Sequence, residues 1–180
     1  MQRCWVACFS QEHIIAMENN YAFADRTHSA AFTGHRFVEV RRREAVKASV
    51  RAAISRLLDM DITNYLCGMA MGFDLLAAEV VVSMKKEHPN LTLTAVVPFP
   101  GQADRWAPDL RRKYFWLLSK ADVRLTLSKT YYDGCFLVRN QFMLDHSCRL
   151  IEYYNGSLKG GTFYTHTRAE WIGMPITNVF

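Results

Sequence analysis

A chain of 180 residues, 50% hydrophobic and 22% charged, is one domain's worth of sequence, long enough to bury roughly 70% of its unfolded surface. That composition excludes a disordered or low-complexity polypeptide, and its longest uncharged apolar runs are too short to span a bilayer. The net charge of +5 permits an acidic partner but serves solubility equally well.

Residues 1–26 show no clear period and no signal-peptide pattern, because Gln11, Glu12 and His13 interrupt any apolar core. They read as an extension of unknown role outside the fold, with Met17 as an alternative start. Cys4, Cys8 and His13 lack a fourth partner at metal-ligand spacing. Cys4 and Cys8 with Cys67, Cys135 and Cys148 make five cysteines without a Cys-x-x-Cys pair. No metal and no disulfide framework is expected, and a cytoplasmic setting is.

From Ser29 onward strands and helices alternate. The run 29–33 predicts a strand ending in Gly34-His35-Arg36. Over 39–59 the apolar residues Val46, Val50, Ile54, Leu57 and Leu58 recur at helical spacing, which predicts an amphipathic helix. Strand 63–67 leads through Gly68 and Gly72 to a mostly apolar, hence mostly buried, helix over 74–86. Strand 91–97 runs into Pro98-Phe-Pro-Gly-Gln102, followed by a helix over 104–119 that tolerates Pro108 in its first turn. Val123, Leu125 and Leu127 alternate with polar residues, which predicts a strand near the sheet edge. A helix over 136–146, a strand over 149–154, a helix entered at Gly160-Gly161-Thr162 and a strand over 175–179 complete the chain. Residues 27–180 therefore form a single α/β domain: a doubly wound, mostly parallel sheet of about six strands with helices on both faces. In such a sheet the loops that follow the strands share the carboxyl edge, where these folds bind ligands.

Those loops carry the candidate site. Gly68-x-x-x-Gly72-x-Asp74 suits an anion held by backbone N–H groups, while Asp74 alternatively caps the helix, contacts ribose hydroxyls or acts as a base. Gly160-Gly161-Thr162 allows a phosphate to approach a helix start, or Thr162 is simply its N-cap. Arg36 and Arg139 are the expected phosphate-gripping cations, and His35 either donates to the same anion or fills the turn. Phe99, Trp106, Tyr131 and Tyr132 offer a stacking face or belong to the core. Asp145-His146-Ser147 is no triad, since neighbours on a helix diverge by about 100°; Asp145 alone stays a candidate acid. The basic runs Arg41-Arg42-Arg43 with Lys47 and Arg51, and Arg111-Arg112-Lys113, lack interleaved aromatics and read as solvated faces.

Taken together, Phe32-Thr33-Gly34-His35-Arg36, Gly68 to Asp74, Val97-Pro98-Phe99 with Gln102 and Trp106, Arg139-Asn140 and Gly160-Gly161-Thr162 resemble the YpsA-like group of the SLOG superfamily, over residues 30–179. That superfamily also contains the LOG phosphoribohydrolases and the DprA/Smf DNA-processing proteins. The resemblance implies a Rossmann-like fold that holds a nucleotide or nucleotide-derived ligand, of ADP-ribose or NAD type, at the residues just named. Arg139 resembles the arginine that phosphoribohydrolases carry before their glycine motif. Their motif adds a third glycine and a catalytic glutamate, and Lys159-Gly-Gly-Thr-Phe-Tyr-Thr165 has neither, which disfavours N-glycosidic hydrolysis. A binding or sensing module is thus expected first. A nucleotide or NAD-derivative N-glycosidase using Asp74 or Asp145 is the alternative, and single-stranded DNA binding stands third. A small nucleotide-like molecule is the expected partner; nucleic acid and a second copy of the chain stay open, and no membrane is expected.

Overall fold

The computed structural model describes residues 25–180. The N-terminal extension, with Cys4, Cys8, His13 and the alternative start at Met17, lies almost wholly outside the described residues.

The strands β1 (Ser29–Gly34), β2 (Asn64–Cys67), β3 (Thr92–Val97), β4 (Val123–Thr126), β5 (Arg149–Tyr153) and β6 (Ile176–Asn178) alternate with five α-helices. These are α1 (Arg43–Leu58), α2 (Phe73–Met84), α3 (Pro108–Lys120), α4 (Cys135–Asp145) and α5 (Gly160–Trp171). Every strand pairing is parallel, in the order β4-β3-β2-β1-β5-β6. The chain starts in the middle at β1, steps outward to β4, then crosses back to lay β5 on the other flank of β1. The order therefore reverses between β1 and β5, which makes their carboxyl ends the switch point of the sheet.

Two apolar cores follow from the period of two along each strand. Phe32, Tyr65, Leu93 and Ile151 face the layer of α1, α2 and α3, whereas Ala31, Leu66, Val96 and Leu150 face α4 and α5. Because both faces are covered, β2 and the body of β3 are buried throughout, and their polar members satisfy one another, Thr94 Oγ1 donating to Asn64 Oδ1 (2.7 Å). In α1 only one stripe is buried, at Val46, Val50, Ala53, Ile54 and Leu57. α2 lies between α1 and α3, and nine of its residues are buried, in agreement with its near-continuous apolar sequence. Glu79 on α2 accepts from Lys47 of α1 and Lys113 of α3, so the layer is tied by a three-residue charge bridge.

Two helix starts differ from expectation by four residues: α1 begins at Arg43, after a 3-10 turn over Val40–Arg42, rather than at 39. α3 begins at Pro108 rather than at 104. The proline forces Ala107 into extended backbone (φ −56°, ψ 146°), and a helix does not run through that residue. Residues 99–106 form successive turns instead, with Gln102 N–H donating to Phe99 O, Asp104 to Gly101 O and Trp106 to Ala103 O. This lengthens the loop after β3 and gives the site one of its walls. β4 and β6 are the two edge strands, as the polar alternation over 123–128 foretold for β4.

Leu93, fully buried on β3, is a sensitive core position. Leu93→Ala is expected to cost about 2–5 kcal/mol in urea denaturation, whereas Trp171→Ala, at a side chain 74% exposed, changes stability by roughly 0.5 kcal/mol or less.

Candidate functional site

A cleft of about 910 Å³ opens at the carboxyl edge, over the switch point and along the ends of β1, β3 and β4. The structure brings together Thr33, Gly34, His35 and Arg36 from the end of β1, Asp74 from the start of α2, and Phe99, Gln102 and Trp106 from the loop after β3. Arg139 and Asn140 enter from α4, and Gly160, Gly161 and Thr162 from the start of α5. Sequence reasoning missed Arg105, Phe136 and Lys159, which line the same cleft. Arg105 was hidden by the misplaced helix start, and Lys159 had a signal in its place beside the glycine pair.

Gly68 and Gly72 do not line the cleft, and the reason is steric. A Cβ at Gly68 would overlap the guanidinium of Arg139, and one at Gly72, whose φ is +87°, would strike the backbone of His35 and Arg36. Both positions demand glycine for packing inside the protein rather than for the approach of a ligand. The loop between them is occupied from within: Asp74 Oδ2 accepts from Ala70 N–H (3.2 Å), and Gln102 Nε2 donates to Met69 O (2.8 Å) and Gly68 O (3.3 Å). An anion loop at 68–72 is thus replaced by a loop that carries its own carboxylate. Nor is Asp74 the helix cap, a place taken by Gly72.

Arg139 is the buried centre of the site, 4% exposed. Its Nη1 donates to Gly68 O and its Nε to Asn140 Oδ1 (2.8 Å). Asn140 in turn donates to Thr165 Oγ1 (2.9 Å) and Gly161 O (3.4 Å), which fixes the start of α5 relative to the guanidinium. Burial pulls Arg139 below its ordinary range, and the nearby Asp74 opposes that. For Asp74 burial is also the larger effect, raising its pKa from 3.8 to about 6 against the opposing pull of Arg139 and the Ala70 N–H.

α5 starts at Gly160 with Lys159 as N-cap and no side-chain cap, so its leading N–H groups are open to a ligand. Thr162 is therefore not the N-cap but lies within the first turn. His35 ties the loops of the switch point together: its Nε2 accepts from Asn155 N–H (3.1 Å), and its backbone N–H donates to Tyr153 O (3.2 Å). Arg36, Arg105, Arg139 and Lys159 are the cations of the cleft, and none forms an ion pair among the described residues. The basic runs are different. Arg41 pairs with Glu39, Lys47 with Glu44 and Glu79, Arg51 with Glu87, Arg112 with Asp109 and Lys113 with Glu79.

Asp145 is not part of the cleft. It lies at the last turn of α4, exposed and accepting from Gln141 Nε2 (2.7 Å), roughly 9 Å of helix beyond Arg139 and toward the opposite sheet edge. Tyr132 also lies outside the lining, whereas Phe99, Trp106 and Tyr131 belong to it.

A parallel sheet wound in both directions from its central strand, with a cleft at the switch point, defines a Rossmann-like, doubly wound α/β architecture. The chain belongs to the YpsA family, described as the YspA SLOG family, whose sequence model matches residues 31–172. A UPF0398 protein of Staphylococcus epidermidis is 31% identical over 121 residues, covering 66% of this chain, which spans 64% of that relative's length. One of Staphylococcus haemolyticus is 30% identical over 130 residues, covering 71% of this chain and 70% of its own. Among solved structures, DNA processing protein A of Helicobacter pylori, known in its single-stranded DNA binding mode, shares the fold with a TM-score of 0.58 at 17% identity, over 82% of this chain and 63% of that one. The Streptococcus pneumoniae counterpart has a TM-score of 0.59 at 17% identity, over 82% and 48%. Among the described residues no helix is long and apolar enough to cross a membrane.

Two outcomes follow from the buried charges. Gly68→Ala displaces the Arg139 guanidinium and is expected to lower stability by about 2–4 kcal/mol in chemical denaturation, the cost of taking a hydrogen-bond acceptor from a buried charge. Asp74 has a folded pKa above its unfolded value, so the folded state binds the proton more tightly. Its contribution to stability is present below pH 3.8 and is lost as pH rises through about 6. Asp74→Asn should remove that slope, amounting to roughly 3 kcal/mol between the two limits, when wild type and variant are denatured at a series of pH values.

Proposed function

We propose that the cleft binds a nucleotide or nucleotide-derived ligand, of ADP-ribose or NAD type, with phosphate at the start of α5. The observation that carries this reading is the convergence of unpaired cations on an uncapped helix start. Arg36, Lys159 and Arg139 share one cleft with Gly160 and Gly161, whose missing side chains leave the backbone approachable. Elsewhere the basic runs are largely satisfied by acids of the same chain. A volume of about 910 Å³ suits a mononucleotide or a dinucleotide. Membership of a SLOG family supports a nucleotide- or DNA-related binding role.

Asp74 supports a second reading. A buried acid at the cleft with a pKa near 6 has the properties of a general acid or base for N-glycosidic cleavage, with Arg36 and Lys159 holding phosphate. Binding of single-stranded DNA, as in the H. pylori structural relative, rests on the shared fold and on the cations of the cleft rather than on the paired basic runs.

AMP, ADP-ribose and NAD are expected to raise the melting temperature of the wild type. Arg36→Ala with Lys159→Ala, both at exposed side chains, should weaken the tightest of them roughly 10- to 100-fold in calorimetry. No shift with any of the three overturns the proposal. Release of free base or nicotinamide, detected by mass spectrometry and abolished by Asp74→Asn, would establish the hydrolase. Oligonucleotide binding tighter than that of every mononucleotide, and weakening steeply with salt, would establish the DNA reading.

A further inference from the structure

The cleft has a second end that phosphate recognition leaves unused. Phe99 from the loop after β3, Tyr131 from the loop after β4 and Phe136 from the first turn of α4 pack on one another at its wall. Ring centroids are 5.5 Å apart for Phe99 and Tyr131 and 5.9 Å for Phe99 and Phe136, with interplanar angles of 78° and 70°. None of the three belongs to either apolar core. An aromatic cluster that only closed two loops would cover its own faces, yet Tyr131 is 57% exposed. Its ring is nonetheless held, because the hydroxyl donates to Asp133 Oδ1 (3.0 Å).

Two arginines flank the cluster. The Arg36 guanidinium lies 6.0 Å from the Phe136 ring centre, and Arg105 is close enough to the Tyr131 hydroxyl to act on it electrostatically. Arg36 also acts on the charge of Arg139, so a single side chain borders both the buried cation and the aromatic corner. Exposed rings with flanking, unpaired guanidinium groups form a stacking platform for planar bases. Arginines of the basic runs also meet rings, Arg42 at Tyr153 and Phe180 and Arg111 at Phe115, but those rings lie outside the cleft, whereas here rings and guanidinium groups from segments distant in sequence meet at its wall.

We infer that the corner of Phe99, Tyr131 and Phe136, flanked by Arg36 and Arg105, is a nucleobase subsite that selects base-bearing nucleotides over sugar phosphates. The inference rests on the phosphate reading of the cleft and adds to it the part of the ligand that confers specificity. In this arrangement the base stacks at the aromatic corner, the phosphate meets α5, and Arg36, which borders both ends, reaches from the rings toward the phosphate.

The test is calorimetric titration of the full chain with ribose 5-phosphate and with the four nucleoside 5′-monophosphates. The tightest monophosphate is expected to bind on the order of tenfold or more tightly than ribose 5-phosphate. Tyr131→Ala should abolish most of that advantage and leave ribose 5-phosphate affinity unchanged, while Tyr131→Phe retains it. Thermal melts of each variant confirm folding. If ribose 5-phosphate binds as tightly as every monophosphate, or if Tyr131→Ala weakens both classes equally, the base subsite is overturned while the phosphate reading stands. If neither ribose 5-phosphate nor any monophosphate binds, both fall together.

Discussion

The structure is arranged around a guanidinium that has almost no access to water. Arg139 occupies the space where a side chain on Gly68 would be, and a cation buried there has to be given acceptors. The chain supplies Gly68 O and Asn140 Oδ1 directly and the charge of Asp74 at longer range. Each of those partners carries a further constraint. Gly68 must lack a Cβ, Asn140 must reach across to Thr165 and Gly161 of α5, and Asp74 must remain buried at the start of α2. The carboxyl end of β2 and the starts of α2 and α5 are thereby tied to one side chain of α4. A site built this way is organised before any ligand arrives.

The same arrangement divides the charges of the protein into two populations. On the α1 to α3 layer lysines and arginines meet acids, most visibly at Glu79, which joins three helices. In the cleft the cations lack acidic partners at ion-pair distance among the described residues; of its two lining acids, Asp74 and Asp104, the buried Asp74 is pushed toward its neutral form. A cleft with four cations, two acids and no ion pair between them, one of the acids pushed toward its neutral form, has a net preference for anions. Net charge over the whole chain conceals this, because it sums paired and unpaired residues alike.

Helix and strand patterns were legible in the residues wherever one period dominated. The stripe Val46, Val50, Ile54 and Leu57 and the β-branched run of β3 both correspond to the elements observed. The start of α3 was not, since helical spacing at 104–107 was outweighed by the effect of Pro108 on Ala107. Of the candidate site, the glycine pair at 160–161 and Arg139 stood out from residue type and position after strands. The roles of Gly68 and Gly72 were misread for a definite reason. A glycine in a loop signals close approach without saying whether a ligand or another part of the chain approaches, and here it is Arg139 and the backbone of residues 35–36.

By itself, then, the sequence determined that this is a parallel α/β domain of the YpsA type, because periodicity and the order of elements are local properties and parallel strands need crossovers. Only the tertiary structure decided which loops meet. It excluded Asp145, recruited Arg105, Phe136 and Lys159, and turned the glycine loop inward, with Ala70 N–H on Asp74 and Gly68 O on Arg139. The physical reason is that burial and pairing of charge depend on neighbours tens of residues away. No spacing along the chain records whether an arginine has already found its acid.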